Sequence, residues 1–425
     1  MARADDPVTD AAGRLLDSFR RSVTLLIAIS GGSDSTGLLV ALAMLCASGR
    51  YPNITLSACT VDHGLRPGSA DEASAVARLC ARHGVPHVTR RWEGAKPATG
   101  LQAAARARRY DLLVDAAAET GADAILSAHT RDDQTETVAM RAARAGEGIG
   151  LSGMADAVLL KRAVWLLRPF LAVDRASIRA FLTVNGEGWI EDPSNLNPRF
   201  ERVRVRDQGT AGPSPSVENR LTFSQRAADF LTGTVVTTDG ACFSLPLPAV
   251  DRALSEPAAW RGLLLLTAVV GGRVHVLETR SAMRLRAFLA SGTLSRLTAG
   301  RVVFDRRRDA LHLYRECRDI VPLVLSAGEA KTWDGRYHVS SKTGQAFVIS
   351  ARGGAGEGLQ GPALRARRAA PCLKFGDGAA VTAQDATIAP AIAPYADFLP
   401  RFDLPLAQAL ADIVGAGRFV SPPNE

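Results

Sequence analysis

Cysteine is scarce and scattered in this chain. The six residues (Cys46, Cys59, Cys80, Cys242, Cys317 and Cys372) lie far apart, with no C-x-x-C pair. That excludes the common zinc and iron–sulfur ligand spacings and makes reduced thiols in a cytoplasm the expectation. Long apolar runs are also missing. The run at residues 263–270, between Arg261 and Arg273, falls far short of the ~20 residues that cross a bilayer, so no membrane association is expected. The first ten residues carry three aspartates and no apolar stretch, so no signal peptide is expected. Lysine is nearly absent, at five of the 51 Lys and Arg residues, so there is little of it to hold phosphates. The nucleotide-binding pattern G-x-x-x-x-G-K-[ST] does not occur at all.

What is present is arginine, with a net charge of +8 over 425 residues. A basic balance suits a polyanionic partner such as RNA, although a GC-rich genome gives the same bias. Hydrophobic and charged contents of 47% and 22% are those of a globular chain, and the length favours two or three domains.

The chain is organised around Ser30-Gly31-Gly32-Ser33-Asp34-Ser35, which follows the apolar run Val23-Thr24-Leu25-Leu26-Ile27-Ala28-Ile29. An unbroken, partly β-branched run of this length reads as a parallel strand buried on both faces. The glycines permit a tight turn, and Ser33 and Asp34 are suitable caps for a helix carrying Leu38, Leu39, Leu42 and Leu45. Strand, glycine turn and helix N-terminus bring free N–H groups to one point, which suits phosphate. Further strands are predicted at 54–61, 87–92 and 124–129, with helices at 69–83 and 101–119. Alternation of this kind predicts an α/β, doubly wound parallel sheet with ligands beyond the carboxyl ends of its strands. Three segments meet at that edge: the glycine loop, His63 and the stretch after His129.

That stretch, His129-Thr130-Arg131-Asp132-Asp133-Gln134-Thr135-Glu136-Thr137, enters a predicted helix. Its acids complement the helix dipole, yet Asp132, Asp133 and Glu136 beside a phosphate loop also call for a cation or a positively charged substrate. Mg²⁺ is expected on Asp34 and Asp132, because it prefers carboxylate and phosphate oxygens. Arg106 and Arg109, one turn apart before Tyr110, are a solvated basic face if taken alone. Beside a triphosphate they could steady the α-phosphate under attack.

The hexapeptide resembles the SGGxDS signature of the PP-loop ATP pyrophosphatases, which implies pyrophosphate held as a leaving group while an adenylate forms. A longer ordered set narrows the resemblance: SGGSDS at Ser30, VDHGLR at Val61, RxxRY at Arg106, HTRDDQTET at His129, RAGEGIGLSGM at Arg144, LLRPFL at Leu166 and WIEDPSN at Trp189. Together these are similar to the tRNA(Ile)-lysidine synthetases. The resemblance implies ATP as co-substrate, bound by Ser30, Gly31, Gly32, Ser33, Asp34, Ser35 and His63. It further implies ligation of L-lysine to the wobble cytidine of a CAU-anticodon tRNA(Ile), with catalytic roles for Asp34, Arg106, Arg109, His129, Asp132, Asp133 and Glu136. Asp133 and Glu136 would meet the ammonium groups of lysine, Arg202 or Arg206 its carboxylate, and His129 is a candidate proton acceptor. The chain departs from the family pattern at Gln102 and at Arg202-Val203-Arg204-Val205-Arg206. A PP-loop tRNA thiolase and a non-catalytic nucleotide- or RNA-binding module are the alternatives. The oligomeric state is open, with a homodimer among the candidates.

A Gly-Pro-Ser stretch at 207–216 is the expected boundary between a catalytic domain at 1–208 and a mainly helical domain at 214–320, which the resemblance implies binds tRNA. A small α+β C-terminal domain at 321–425 is expected after it, also for tRNA binding. Helices are expected at 217–231, 260–270 and 278–290, and a hairpin at 301–314 with Arg306, Arg307 and Arg308 at its tip as candidate RNA contacts. Arg365, Arg367 and Arg368 form a second basic cluster.

Overall fold

The computed structural model describes residues 6–65, 68–145, 153–191, 217–354 and 360–425. It divides into two units, residues 1–220 with 420–425, and residues 221–419. The stretch 207–216, where a linker is expected, lies outside the described residues, as do Arg202 and Arg206.

The first unit is built outward from β1 (Val23–Ala28), in which Leu25, Leu26 and Ile27 have no solvent exposure. β1 pairs in parallel with β2 (Ile54–Asp62) on one side and β4 (Ala124–Leu126) on the other. β3 (His87–Arg91) extends the sheet beyond β2, and β6 (Val164–Leu167) extends it beyond β4, both in parallel. β5 (Ala157–Leu160) joins β6 antiparallel, giving the order β5-β6-β4-β1-β2-β3. The chain therefore runs outward through β2 and β3, then reverses to place β4 on the opposite side of β1. Ligands of doubly wound sheets bind where strand order reverses, here beyond the carboxyl ends of β1 and β4.

The β5–β6 hairpin has no counterpart in the expected element list. Its turn uses Lys161 and Arg162 at positive φ, 50° and 58°, without the glycine or asparagine that ordinarily marks such a turn.

α1 (Pro7–Asp17), α2 (Ser33–Ala47) and α6 (Arg175–Val184) pack together on one face of the sheet. α3 (Ser69–Arg82) and α4 (Leu101–Thr120) serve β2 and β3, and α5 (Arg131–Ala145) leaves β4. α2 is buried almost all round, from Ser35 through Ala43. Gly37 lets α6 approach it: a Cβ there would lie 2.4 Å from Ile178 Cγ2.

In the second unit, α7 (Val217–Thr234), α8 (Leu247–Ser255), α9 (Pro257–Val270) and α10 (Thr279–Ala290) accompany an antiparallel sheet. Its five strands are β7 (Val236–Thr238), β8 (Cys242–Pro246), β11 (Ala310–Arg315), β10 (Val302–Arg306) and β9 (Arg296–Ala299), in that order. The expected helices and the expected hairpin are present; three strands of the sheet were not foreseen. After Arg315 the elements change to two three-stranded sheets over Leu325, Trp333, Val339, Phe347 and Ile349, all essentially buried. Among the described residues no single helix is long and apolar enough to cross a membrane.

The arginine tip is corrected by the structure. Asp305 and Arg306 are buried strand residues rather than turn residues. Arg306 donates to the Leu289 carbonyl at 2.9 Å, and Arg307 is ion-paired to Asp305 at 2.7 Å. Alternation along β10 turns Phe304 and Arg306 to the same face, so the arginine is drawn inward. Of the three, Arg307 and Arg308 remain exposed.

Candidate active site

A cavity of about 650 Å³ opens at the carboxyl ends of β1, β2 and β4. Ser30, Gly32, Ser33, Asp34 and Ser35 line one wall, with His63, Arg109, His129 and Asp133 converging from the other segments.

The glycine loop is held by its own hydroxyls. Ser35 Oγ accepts the Ser30 N–H at 3.2 Å and donates to the Gly32 carbonyl at 3.2 Å. Gly31 has φ +84°, and a Cβ there would press within 2.7 Å of Ile190 and 2.8 Å of Val76. Its carbonyl accepts two bonds, from Thr36 Oγ1 at 3.2 Å and from the Ile190 N–H at 2.8 Å. The helix begins one residue earlier than its serine and aspartate suggested. The N-cap is Gly32, which offers no side-chain acceptor, while Ser33 and Asp34 lie in the first turn. The first amides of α2 are thus without a side-chain cap at the cavity wall, the geometry that binds phosphate.

The acidic stretch is ordered by a capping box at the start of α5. Asp133 Oδ2 accepts the Thr130 N–H at 2.8 Å and the Thr130 hydroxyl at 3.1 Å. Asp133 Oδ1 is left facing the cavity. Asp132 turns elsewhere and accepts the backbone N–H of Arg175, the first residue of α6, at 2.9 Å. Glu136 is buried at 4% exposure and is not among the cavity-lining residues. His129 lines the cavity and pairs through Nδ1 with Ser127 Oγ at 2.9 Å.

On α4, the guanidinium groups of Arg106 and Arg109 lie 5.1 and 5.7 Å from the ring centre of buried Tyr110. Arg109 reaches the cavity, whereas Arg106 is an exposed residue outside its lining. His63 stands edge-on to Trp92, 6.1 Å between ring centres. Burial, followed by the nearby Arg109 charge, pushes the His63 imidazole below its ordinary value and favours the neutral ring. Arg168 of the LLRPFL segment is buried with its guanidinium on the Ala155 carbonyl.

The residue absent from the sequence reading is Arg175. Its Nε donates to Asp34 Oδ2 at 3.0 Å, and one Nη donates to Asp133 Oδ1 at 3.4 Å. It therefore bridges two expected site carboxylates while its backbone amide holds a third. The local signal was only a helix start, with Asp174 capping the Ser177 N–H at 2.7 Å. Nothing near it in the chain tells that the start of the helix meets Asp34 and Asp133. Arg179 and Glu191 also line the cavity, and Glu191 accepts from the Trp189 indole N–H at 2.7 Å. Most of the RAGEGIGLSGM loop and the end of WIEDPSN lie outside the described residues.

A parallel strand, an uncapped helix start after a double-glycine turn, and acids from a neighbouring strand end define an ATP-binding PP-loop domain. Residues 6–210 match the PP-loop domain family ATP_bind_3. Over 442 aligned residues the chain is 44% identical to a tRNA(Ile)-lysidine synthase of Rhizobium meliloti, covering 98% of this chain and 97% of that one. It is 36% identical to a tRNA(Ile)-lysidine synthase of Mesorhizobium japonicum, covering 98% of each. The chain belongs to the tRNA(Ile)-lysidine synthase family. A solved U34-tRNA thiolase of Methanococcus maripaludis is a looser likeness, at 17% identity and a TM-score of 0.40 over 47% of this chain and 70% of that one.

Proposed function

We propose that this protein ligates L-lysine to carbon 2 of the wobble cytidine in a CAU-anticodon tRNA(Ile), at the expense of ATP. The observation that carries the reading is the cavity itself, in which a phosphate loop and the Asp133 carboxylate face one another. ATP lies with its pyrophosphate on the first amides of α2, from Gly32 to Ser35, which stabilise negative charge as it collects on the leaving group. Cytidine O2 attacks the α-phosphorus, pyrophosphate departs, and Arg109 stands beside the phosphorus where charge develops. The lysine ε-amine then attacks carbon 2, and the C–O bond breaks to release AMP carrying the former O2. The amine must shed a proton first, and His129, on the cavity wall with its other nitrogen tied to Ser127, is our candidate acceptor.

Mg²⁺ is the companion we expect for the triphosphate, and its chemistry is to neutralise the departing pyrophosphate. Asp34 and Asp133 fit it: both carboxylates reach the one guanidinium of Arg175, so they converge on the same part of the cavity, and carboxylate oxygens are the donors Mg²⁺ prefers. Asp132, anticipated as the second ligand, is engaged with α6, so we assign the pair to Asp34 and Asp133. With Asp133 so used, we assign a lysine ammonium group to Glu191 on the cavity wall, keep Glu136, buried and outside the cavity lining, as the expected second acid, and keep Arg202 and Arg206 as our candidates for the carboxylate. We assign tRNA contacts to the second unit, with its two architectures meeting near residue 320.

Incubation with ATP, radiolabelled lysine and unmodified CAU-anticodon tRNA, followed by nucleoside analysis, tests the function. Label in a modified cytidine, dependent on ATP, is the expected result. ATP binding without pyrophosphate release would instead favour a non-catalytic module.

A further inference from the structure

We propose that Arg175 is the resident counter-ion of the phosphate cavity. It holds the position between Asp34 and Asp133 that a divalent cation takes when nucleotide loads, and it must let go of both for the site to fill. The inference rests on the adenylation reading above and deepens it into an order of loading.

The geometry is specific. The two carboxylates come from different strand ends, one after β1 and one after β4, and the guanidinium joins them at 3.0 and 3.4 Å. The three side chains are only 14–21% exposed, so water screens the charges weakly and a vacancy between the carboxylates would be costly. The main chain of Arg175 is fixed independently: its N–H is on Asp132 at 2.9 Å, and Arg131 pairs with the preceding Asp174 at 2.9 Å. Release of the guanidinium therefore needs rotation of a long side chain, with α6 left in place. A bare divalent ion must compete with a tethered cation already in position and gains too little to displace it. A triphosphate on the α2 amides adds several negative charges beside the same point and tips the competition. The site then takes metal together with nucleotide and stays closed to metal alone. The freed guanidinium also becomes available to the phosphates, a role arginine fills well because its planar fork pairs with phosphate oxygens as with carboxylates.

The test uses Mn²⁺ alone as the probe, followed by electron paramagnetic resonance of the free ion, on the full chain without nucleotide. Wild-type protein should bind Mn²⁺ weakly. R175Q should bind one Mn²⁺ at least tenfold more tightly, and adding D34N to R175Q should abolish that gain. R175K keeps the charge but lacks the planar fork that reaches both carboxylates from separate nitrogens, so it should fall between. Equal Mn²⁺ affinity in wild type and R175Q, with matching circular dichroism spectra, would overturn the proposal. If R175Q does not fold, an R175K affinity equal to wild type overturns it in the same way. Neither tRNA nor lysine is present, so a failure of lysine transfer would count against the function and leave this comparison standing.

Discussion

Single side chains in the cavity do two jobs, and the charge on Asp34 shows this most directly. Asp34→Asn removes little volume, but it takes away both a carboxylate proposed to hold the metal and the closer partner of Arg175. The expected outcome is a fall of about 100-fold or more in tRNA-dependent pyrophosphate release, the scale of losing one preorganised charge at a reacting centre. Circular dichroism should be unchanged; near-normal release from a folded variant would remove Asp34 from the mechanism. Histidine gives a second residue-scale expectation. His63 and His87 are both held below the ordinary imidazole value, in each case first by burial. The folded state thus binds protons less readily than the unfolded one, whose histidines titrate near ~6.5. Their contribution to stability is full above that pH and is lost as pH falls through it. Urea unfolding midpoints should drop between about pH 7 and pH 5, and His63→Asn should flatten that drop. An unaltered pH profile in the variant would show that His63 is proton-accessible when folded.

At the scale of elements, the site depends on how closely α6 lies against α2. Gly37 leaves no room for a methyl group beside Ile178. Gly37→Ala should therefore destabilise the first unit by about 1–3 kcal/mol through overpacking, and shifting α6 should weaken nucleotide binding although residue 37 touches no ligand. Calorimetry with and without an ATP analogue would read both effects, and a variant as stable as wild type would mean α6 is loosely seated. The same elements show what was legible beforehand. β1, β2, β3 and β4 and the helices between them were readable because each carries a local pattern: an apolar run for the strand, periodic apolar positions for the helix. The loop and its chemistry were readable for the same reason, since Ser30 to Ser35 form one contiguous motif. The β5–β6 hairpin was not, because its turn is made by Lys161 and Arg162, residues that carry no turn signature. Arg175 was invisible for a different reason. Its partners are Asp34 and Asp133, and only the reversal of strand order at β1 brings β4 and the start of α6 to the same place. The roles of Asp132 and Asp133 likewise separated only in three dimensions, since neighbours at the start of a helix point in different directions.

On the scale of the whole molecule, several arginines of the second unit are held in ion pairs with aspartates rather than standing free. Asp305 is shared by Arg307 and Arg365, Asp239 takes Arg367, and Asp334, at 1% exposure, takes Arg301, Arg315 and Arg336. Composition alone could not reveal this, and it changes which arginines are worth neutralising. Arg308→Gln should lower the salt dependence of tRNA binding by about one unit of log–log slope if it meets a phosphate. Arg306→Gln should leave that slope unchanged and lower the melting temperature, because its guanidinium is buried on the Leu289 carbonyl. The reverse pattern would mean that Arg306, and not Arg308, meets the RNA. The bond from the Ile190 N–H to the Gly31 carbonyl carries a last consequence, an optical one. Trp189 is the immediate neighbour of Ile190, half-buried, with its indole tied to Glu191 on the cavity wall. Of the five tryptophans, it is the one joined through its neighbour to the phosphate loop. Nucleotide entering the loop should therefore change the intrinsic fluorescence of the protein without any added label. Trp189→Phe should silence the signal while a calorimetric titration still records binding, and a signal that survives the substitution would assign it to another tryptophan.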